Sequence, residues 1–178
     1  MASGAAMAQT SARGLLGMGL TTGGDTLATV VFTDGTTESI KAGGLVHVFG
    51  GVEFRATPQV TMQLNGGYQV DDTSRGSNGS LRFSRYPIEV LAHYQLNPAF
   101  RLGGGLRLVN SPKIRGSGVL SGTGLDFEST TGAVFEGEYL VTPNIGLKLR
   151  GVSETYKPKN GSPSADGNHI GFYFTWYI

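Results

Sequence analysis

The sequence predicts an all-β protein, a single eight-stranded antiparallel up-and-down barrel that spans a membrane. Three observations predict it. Long segments alternate between polar and apolar residues with a period of two. Short proline-centred connections alternate with longer polar ones. Charged residues keep to one register of the alternating segments and meet opposite charges when the short hairpins are folded about their prolines.

The clearest strand is Val60–Asp71, VTMQLNGGYQVD. Val60, Met62, Leu64, Gly66, Tyr68 and Val70 share one parity, against Thr61, Gln63, Asn65, Gly67, Gln69 and Asp71. The strand before it sets Ala42, Gly44, Val46, Val48, Gly50, Val52 and Phe54 against His47, Glu53 and Arg55. The next sets Tyr86, Ile88, Val90, Ala92, Tyr94 and Leu96 against Arg85, Glu89, His93 and Gln95. Near Arg82–Arg85 the parity breaks, and a bulge or the membrane edge is expected there. Phe100, Leu102, Gly104, Leu106 and Leu108 oppose Arg101 and Arg107. Phe127, Thr131, Ala133, Phe135, Gly137, Tyr139 and Val141 oppose Glu128, Glu136 and Glu138. Ile145, Leu147, Leu149 and Gly151 oppose Lys148, Arg150 and Glu154. Ile170, Phe172, Phe174, Trp176 and Ile178 oppose His169, Tyr173, Thr175 and Tyr177. The first strand, around Leu16, Met18 and Leu20, is glycine-rich. It is expected to run on through Thr26–Phe32 to a tight Asp34-Gly35 turn.

Thr57-Pro58-Gln59, Asn97-Pro98-Ala99 and Thr142-Pro143-Asn144 read as the short turns, because proline presets φ and cannot donate to a ladder. Asp72–Ser80, Asn110–Gly124 and Lys157–Gly167 read as the long loops. Short turns at one end and long loops at the other is the layout of an outer-membrane barrel, and an even strand count puts both termini at the turn end.

The totals agree with this and exclude other classes. A chain of 178 residues fits one domain. With 15% charged residues and a net charge of +1, it lacks the basic surplus of a nucleic-acid partner. It has no cysteine, and His47, His93 and His169 show no zinc-type spacing, so neither metal nor other cofactor is expected. Its 29 glycines follow no period of three; many fall inside strands, where glycine lets a sheet bend and close. No apolar run approaches the ~18 residues of a transmembrane helix, whereas a barrel strand needs only about 9–11. Ala6-Met7-Ala8 before Gln9 resembles a secretory cleavage site. Residues 1–11 therefore read as a signal-peptide remnant or disordered leader, and residues 12–178 as the barrel.

Alternation alone does not say which face points inward, since a soluble lipocalin-like barrel turns its apolar face in. Two arguments favour lipid outside. The apolar register is uncharged through every strand middle and carries Phe54, Tyr94, Phe100, Tyr139 and Trp176 near the proline turns, as an interfacial girdle would. The charged register pairs across the hairpins: Glu138 with Lys148, Glu136 with Arg150, Glu89 with Arg107, and Glu53 with Gln63. The reverse orientation would turn Arg101, Arg107, Lys148 and Arg150 to lipid, at about 2–4 kcal/mol for each one near the midplane. Two such residues would cost roughly 4–8 kcal/mol, comparable to a domain's whole stability of about 5–15 kcal/mol.

The last strand carries a resemblance. His169-Ile170-Gly171-Phe172-Tyr173-Phe174-Thr175-Trp176 resembles the C-terminal signal read by the outer-membrane assembly machinery: a polar residue, a glycine two later, then apolar or aromatic residues three and five after the glycine. His169, Gly171, Phe174 and Trp176 match in order, while Ile178 stands where a terminal Phe is typical. With the strand layout, this makes residues 12–178 similar to the OmpA/OmpX/Opa-type family of small surface barrels. The resemblance implies residence in the bacterial outer membrane, contact with its lipid and lipopolysaccharide, insertion by the barrel-assembly machinery and a monomeric state. It does not imply one activity.

The expected function is a structural or surface-interaction barrel whose lumen is filled by Glu53, Glu89, Arg107, Glu136, Glu138, Lys148 and Arg150, because an eight-stranded interior is just wide enough for side chains. A narrow gated channel, in which that network has a second arrangement, is the first alternative. A lipocalin-like barrel binding an apolar ligand is the second. Catalysis is not expected. Barrel deacylases resemble a His-x-Ser arrangement, and here Phe49, Gln95 and Gly171 follow the histidines by two.

Overall fold

The computed structural model describes residues 12–31, 35–73 and 79–178. Eight strands close the barrel: β1 (Ala12–Gly23), β4 (Leu45–Arg55), β5 (Val60–Asp72), β6 (Gly79–Asn97), β7 (Phe100–Gly118), β9 (Thr130–Thr142), β10 (Ile145–Ser153) and β13 (His169–Tyr177). Between them lie β2 (Thr26–Val31), β3 (Thr37–Lys41), β8 (Gly124–Asp126), β11 (Thr155–Tyr156) and β12 (Ala165–Asp166). Each barrel strand pairs antiparallel with its neighbours, and β1 meets β13 from Leu15↔Tyr177 to Gly23↔His169 to close the ring. No helix of the described residues is long and apolar enough to cross a membrane. The leader expected over residues 1–11 lies outside the described residues.

The period of two becomes two surfaces. In β13 the burial alternates at every residue, with His169, Gly171, Tyr173, Thr175 and Tyr177 inside and Ile170, Phe172, Phe174 and Trp176 outside. Leu106 and Leu149, each 65% exposed, stand on the outer wall, while Arg107, Lys148 and Arg150 beside them are fully buried. The three short turns follow Arg55, Asn97 and Thr142, where the sequence sets its prolines. In the first, the Thr57 hydroxyl accepts from the Val60 amide at 2.9 Å.

Several details differ from the sequence reading. The first strand does not continue to Phe32. It stops at Gly23 (φ 130°) and Gly24 (φ 73°), conformations that glycine adopts without a Cβ clash and that turn the chain out of the ladder. The β2/β3 pair is then a separate two-stranded ribbon, its neck closed by Ala42 N–H to Asp25 O at 2.8 Å and Gly43 N–H to Gly23 O at 3.1 Å. Of the expected turn, Asp34 lies outside the described residues and Gly35 has φ 81°. Ala42 and Gly44 belong to this neck rather than to the lipid face; Ala42 is fully buried.

Asn110–Gly124 is not a loop over most of its length, because β7 continues to Gly118 and β8 pairs back onto it. A bulge at Ser111-Pro112, opposite Arg85, switches the inward parity of β7 from Val109 to Ile114. The register therefore shifts near Arg85, but the extra residue sits on the partner strand. Phe127, expected to face lipid, is buried. Strand β9 begins only at Thr130, and the Phe127 ring packs edge-on to Phe83 (5.6 Å) and Tyr156 (6.0 Å). The Lys157–Gly167 segment contains the short β12, which pairs with β11.

Strands β6 and β7 have 19 residues each, against the about 9–11 that cross a bilayer. Their surplus stands beyond the membrane at the long-loop end. There Ile40, Ala42, Leu81, Phe83, Val109, Ile114, Phe127 and Tyr156 form an apolar cluster over the barrel mouth.

Candidate functional site

The candidate site is the charged lumen. Every expected hairpin pair falls in direct register: Glu138↔Lys148 and Glu136↔Arg150 between β9 and β10, Glu89↔Arg107 between β6 and β7, and Glu53↔Gln63 between β4 and β5. Inward parity puts their side chains in one space 4% exposed or less, and there they bond beyond their register partners.

Glu136 is the hub. It accepts from Lys148 Nζ at 2.8 Å and from Arg150 Nε at 2.7 Å, lies 2.6 Å from Arg150 Nη2 as an ion pair, and pairs with His93 Nε2 at 2.6 Å. Arg150 reaches across the lumen to Glu89 at 2.9 Å, and Glu89 also holds Arg107 at 2.8 Å. Arg107 Nε donates to Glu154 at 3.0 Å, and its Nη2 donates to the Gln69 side-chain oxygen. Toward the turn end, Arg101 bridges Glu138 and Glu53, both at 2.7 Å. Gln63 donates to Glu53 at 2.7 Å, and Arg13 covers Glu53 from the mouth, also at 2.7 Å. Lys148 lies 3.6 Å from its register partner Glu138, farther than from Glu136.

The seven residues predicted for the lumen are thus brought together. Sequence pairing missed Arg13, Arg101, Glu154, His93, Gln69, Tyr173 and Tyr177 as members. Their signal was available, since all but Arg13 occupy the inward parity already assigned. Most of their contacts link non-adjacent strands, and Arg13–Glu53 and Arg101–Glu138 are register partners across the longer connections, so folding the short hairpins one at a time cannot reveal them. Tyr177 donates to Glu138 at 2.6 Å and accepts from Arg101 at 2.5 Å. Phe49 and Tyr173 pack edge-on at 6.0 Å, and the Arg150 guanidinium lies 4.8 Å from the Tyr173 ring.

Glycines make room for these large groups. A Cβ on Gly103 would lie 2.3 Å from the His93 ring, one on Gly19 2.2 Å from the Tyr173 ring, and one on Gly17 2.2 Å from the Phe49 ring. Each of these inward glycines leaves room for the large side chain of its register partner on the neighbouring strand.

His93, Glu136 and Glu138 come close enough together to suggest a metal site. Their carboxylates already carry Lys148, Arg150 and Arg101. A divalent ion would face three cations, so the donor set does not suit one.

Phe54, Tyr94, Phe100, Tyr139 and Trp176 all stand exposed on the outer wall near the turn end. Of the residues matched to the C-terminal signal, His169 and Gly171 face inward and Phe174 and Trp176 outward. Above the lumen, Tyr156 donates to Glu154 at 2.5 Å; burial pushes its phenol well above the usual range, so it stays protonated as that donor.

The wall is thus apolar and the interior charged, the inverse of a soluble ligand-binding barrel. Such a surface is stable only where hydrocarbon covers it.

No family model and no curated protein matches this sequence. Solved structures do match in fold. One is Ail, the attachment invasion locus protein of Yersinia pestis, in complex with the heparin analogue sucrose octasulfate: TM-score 0.61 at 8% identity, covering 95% of this chain and 99% of that one. A second Ail structure gives 0.55 at 10%, covering 94% and 97%. Neisserial surface protein A gives 0.57 at 10%, covering 95% and 99%. The chain has the fold of these small eight-stranded outer-membrane barrels.

Proposed function

We propose that this chain is an integral protein of the bacterial outer membrane that acts as a structural or surface-interaction barrel, with a lumen closed by its own ion network. The observation that carries the reading is the Glu136 hub. Its carboxylate ties together Lys148, Arg150 and His93, and through Arg150 it reaches Glu89 on β6, three strands away, which in turn holds Arg107. Opening a water path through this level requires separating several buried charges at once. Removing one partner of such a pair costs about 3–5 kcal/mol. The barrel is then an anchor, and the loop end is the part available to partners. Lipid and lipopolysaccharide surround the wall. The final strand, through His169, Gly171, Phe174 and Trp176, addresses the assembly machinery.

The test is ion conductance of refolded protein in a planar bilayer, with a heat-shift gel to establish the folded barrel. A folded and silent protein is the expected result. Discrete conductance steps altered by Glu136→Gln or Arg150→Ala would replace this reading with a narrow gated channel.

A further inference from the structure

Among the described residues, Arg85 is the one large cation in the barrel interior that the network does not use. Its side chain is fully buried, yet among the described residues no carboxylate lies within ion-pairing distance. Its guanidinium instead donates to two backbone carbonyls of the ribbon neck, to Ala42 O and, at 2.7 Å, to Gly44 O. The Phe83 ring lies 4.6 Å away and the Tyr156 ring 5.8 Å. Asp71, one strand over, accepts from Lys41 N–H at 2.8 Å. Two barrel side chains therefore grip the same short stretch of backbone, Lys41–Gly44, where the β2/β3 ribbon leaves the wall.

The ribbon has its own hydrogen-bond ladder and belongs to no other sheet. Ile40 and Ala42, with Leu27, Ala28 and Val30, pack on the cluster that roofs the mouth. Gly23 and Gly24 form one leg of the neck and Gly43 and Gly44 the other, so both legs can change backbone angles at low cost.

We propose that the β2/β3 ribbon is a hinged lid over the outward mouth, held shut by a latch in which Arg85 and Asp71 grip its neck. Burying a guanidinium without a carboxylate is costly, and carbonyl dipoles and ring faces offset this only while the neck stays in place. The device goes beyond the plugged-anchor reading and does not depend on it.

Single cysteines report on it cleanly, because the chain has none. Ile40→Cys, at a fully buried lid position, is labelled with a membrane-impermeant maleimide in refolded vesicles, with and without Arg85→Gln. Leu91→Cys, deep in the lumen and equally buried, and exposed Thr29→Cys are the references. Unlatching should speed Ile40→Cys labelling roughly ten-fold or more, about what losing one charged hydrogen bond yields, and leave both references unchanged. Equal rates at Ile40→Cys would overturn the latch. A parallel rise at Leu91→Cys would overturn it too, since Arg85 would then be holding the whole barrel. If Arg85→Gln does not fold, Asp71→Ala probes the same neck through the Lys41 contact, with the same outcomes.

Discussion

Replacing Glu136 with Gln keeps the side chain's shape and removes its charge. In the native lumen that carboxylate accepts from Lys148 at 2.8 Å and from Arg150 Nε at 2.7 Å and ion-pairs with Arg150 Nη2 at 2.6 Å, all fully buried. The variant leaves Lys148 with Glu138 at 3.6 Å as its remaining carboxylate, and Arg150 with Glu89 alone. Removing one member of a buried pair costs about 3–5 kcal/mol, because the other charge stays desolvated. With a urea slope of about 1–3 kcal/mol/M, the unfolding midpoint should fall by roughly 1–5 M. Trp176, the single tryptophan, stands on the outer wall and reports unfolding by fluorescence in lipid vesicles. Adding Lys148→Met to Glu136→Gln should recover part of the loss, since the stranded cation goes with it. A midpoint that stays put for Glu136→Gln in a protein with a normal heat-shifted band would mean that the hub bears little of the barrel's stability.

Other consequences follow from the two faces. Leu106→Arg or Leu149→Arg puts a charge on the lipid wall at about 2–4 kcal/mol near the midplane; it should sharply reduce assembled barrel in an expression assay, while Ser80 or Asn160 substitutions should not, and equal yields would refute the lipid-facing assignment. Gly105→Ala would set a Cβ 2.0 Å from the Val90 carbonyl oxygen, whereas Gly66→Ala meets nothing within 4 Å. The first should lower the unfolding midpoint and the second should not, and the reverse order in a urea titration would disprove the close approach. Trp176 fluorescence should be quenched by lipids brominated near the headgroup more than by lipids brominated near the chain end, as an interfacial residue requires; the opposite ranking would remove it from the girdle.

Most of the barrel was legible because a strand with lipid on one side and buried charge on the other leaves a strict period of two. The β4–β5, β6–β7 and β9–β10 hairpins kept the expected cross-strand partners, since a proline turn fixes where each register begins. Apart from the Gly23-Gly24 turn that ends the first strand, the main misreadings share one cause, which is that parity persists where the environment has changed. Beyond the membrane the outer wall meets water and the inside becomes a dry aromatic roof. Phe127 and Ala42 therefore turn inward although their parity matched the lipid face, and β7 runs on through polar residues that read as loop. The Ser111-Pro112 bulge marks that transition, shifting β7 by one residue so that Ile114 can join the roof. The network's reach across the lumen was hidden for a different reason. Arg150 to Glu89 and Arg101 to Glu53 join strands that are not neighbours, and Arg107 reaches Glu154 just past the end of β10, so no hairpin contains them.

In the proposed reading the barrel is closed at two levels by opposite chemistry, and position along the axis explains why. At the level of the hydrocarbon the wall is already apolar on its outer face. A lumen filled with charge makes each strand strongly two-faced, and a one-residue slip would drive Arg107, Lys148 and Arg150 into lipid. The ion network thus enforces register as well as filling the interior. Above the membrane no hydrocarbon penalises such a slip. There the inside can be aromatic and aliphatic, and Phe83, Phe127 and Tyr156 close the mouth by packing. A roof of this kind can be lifted without separating the buried ion pairs beneath it, whereas the lumen network can be opened only by breaking them. Motion should therefore concentrate at the β2/β3 ribbon, with the strands around Glu136 remaining the fixed frame against which it moves.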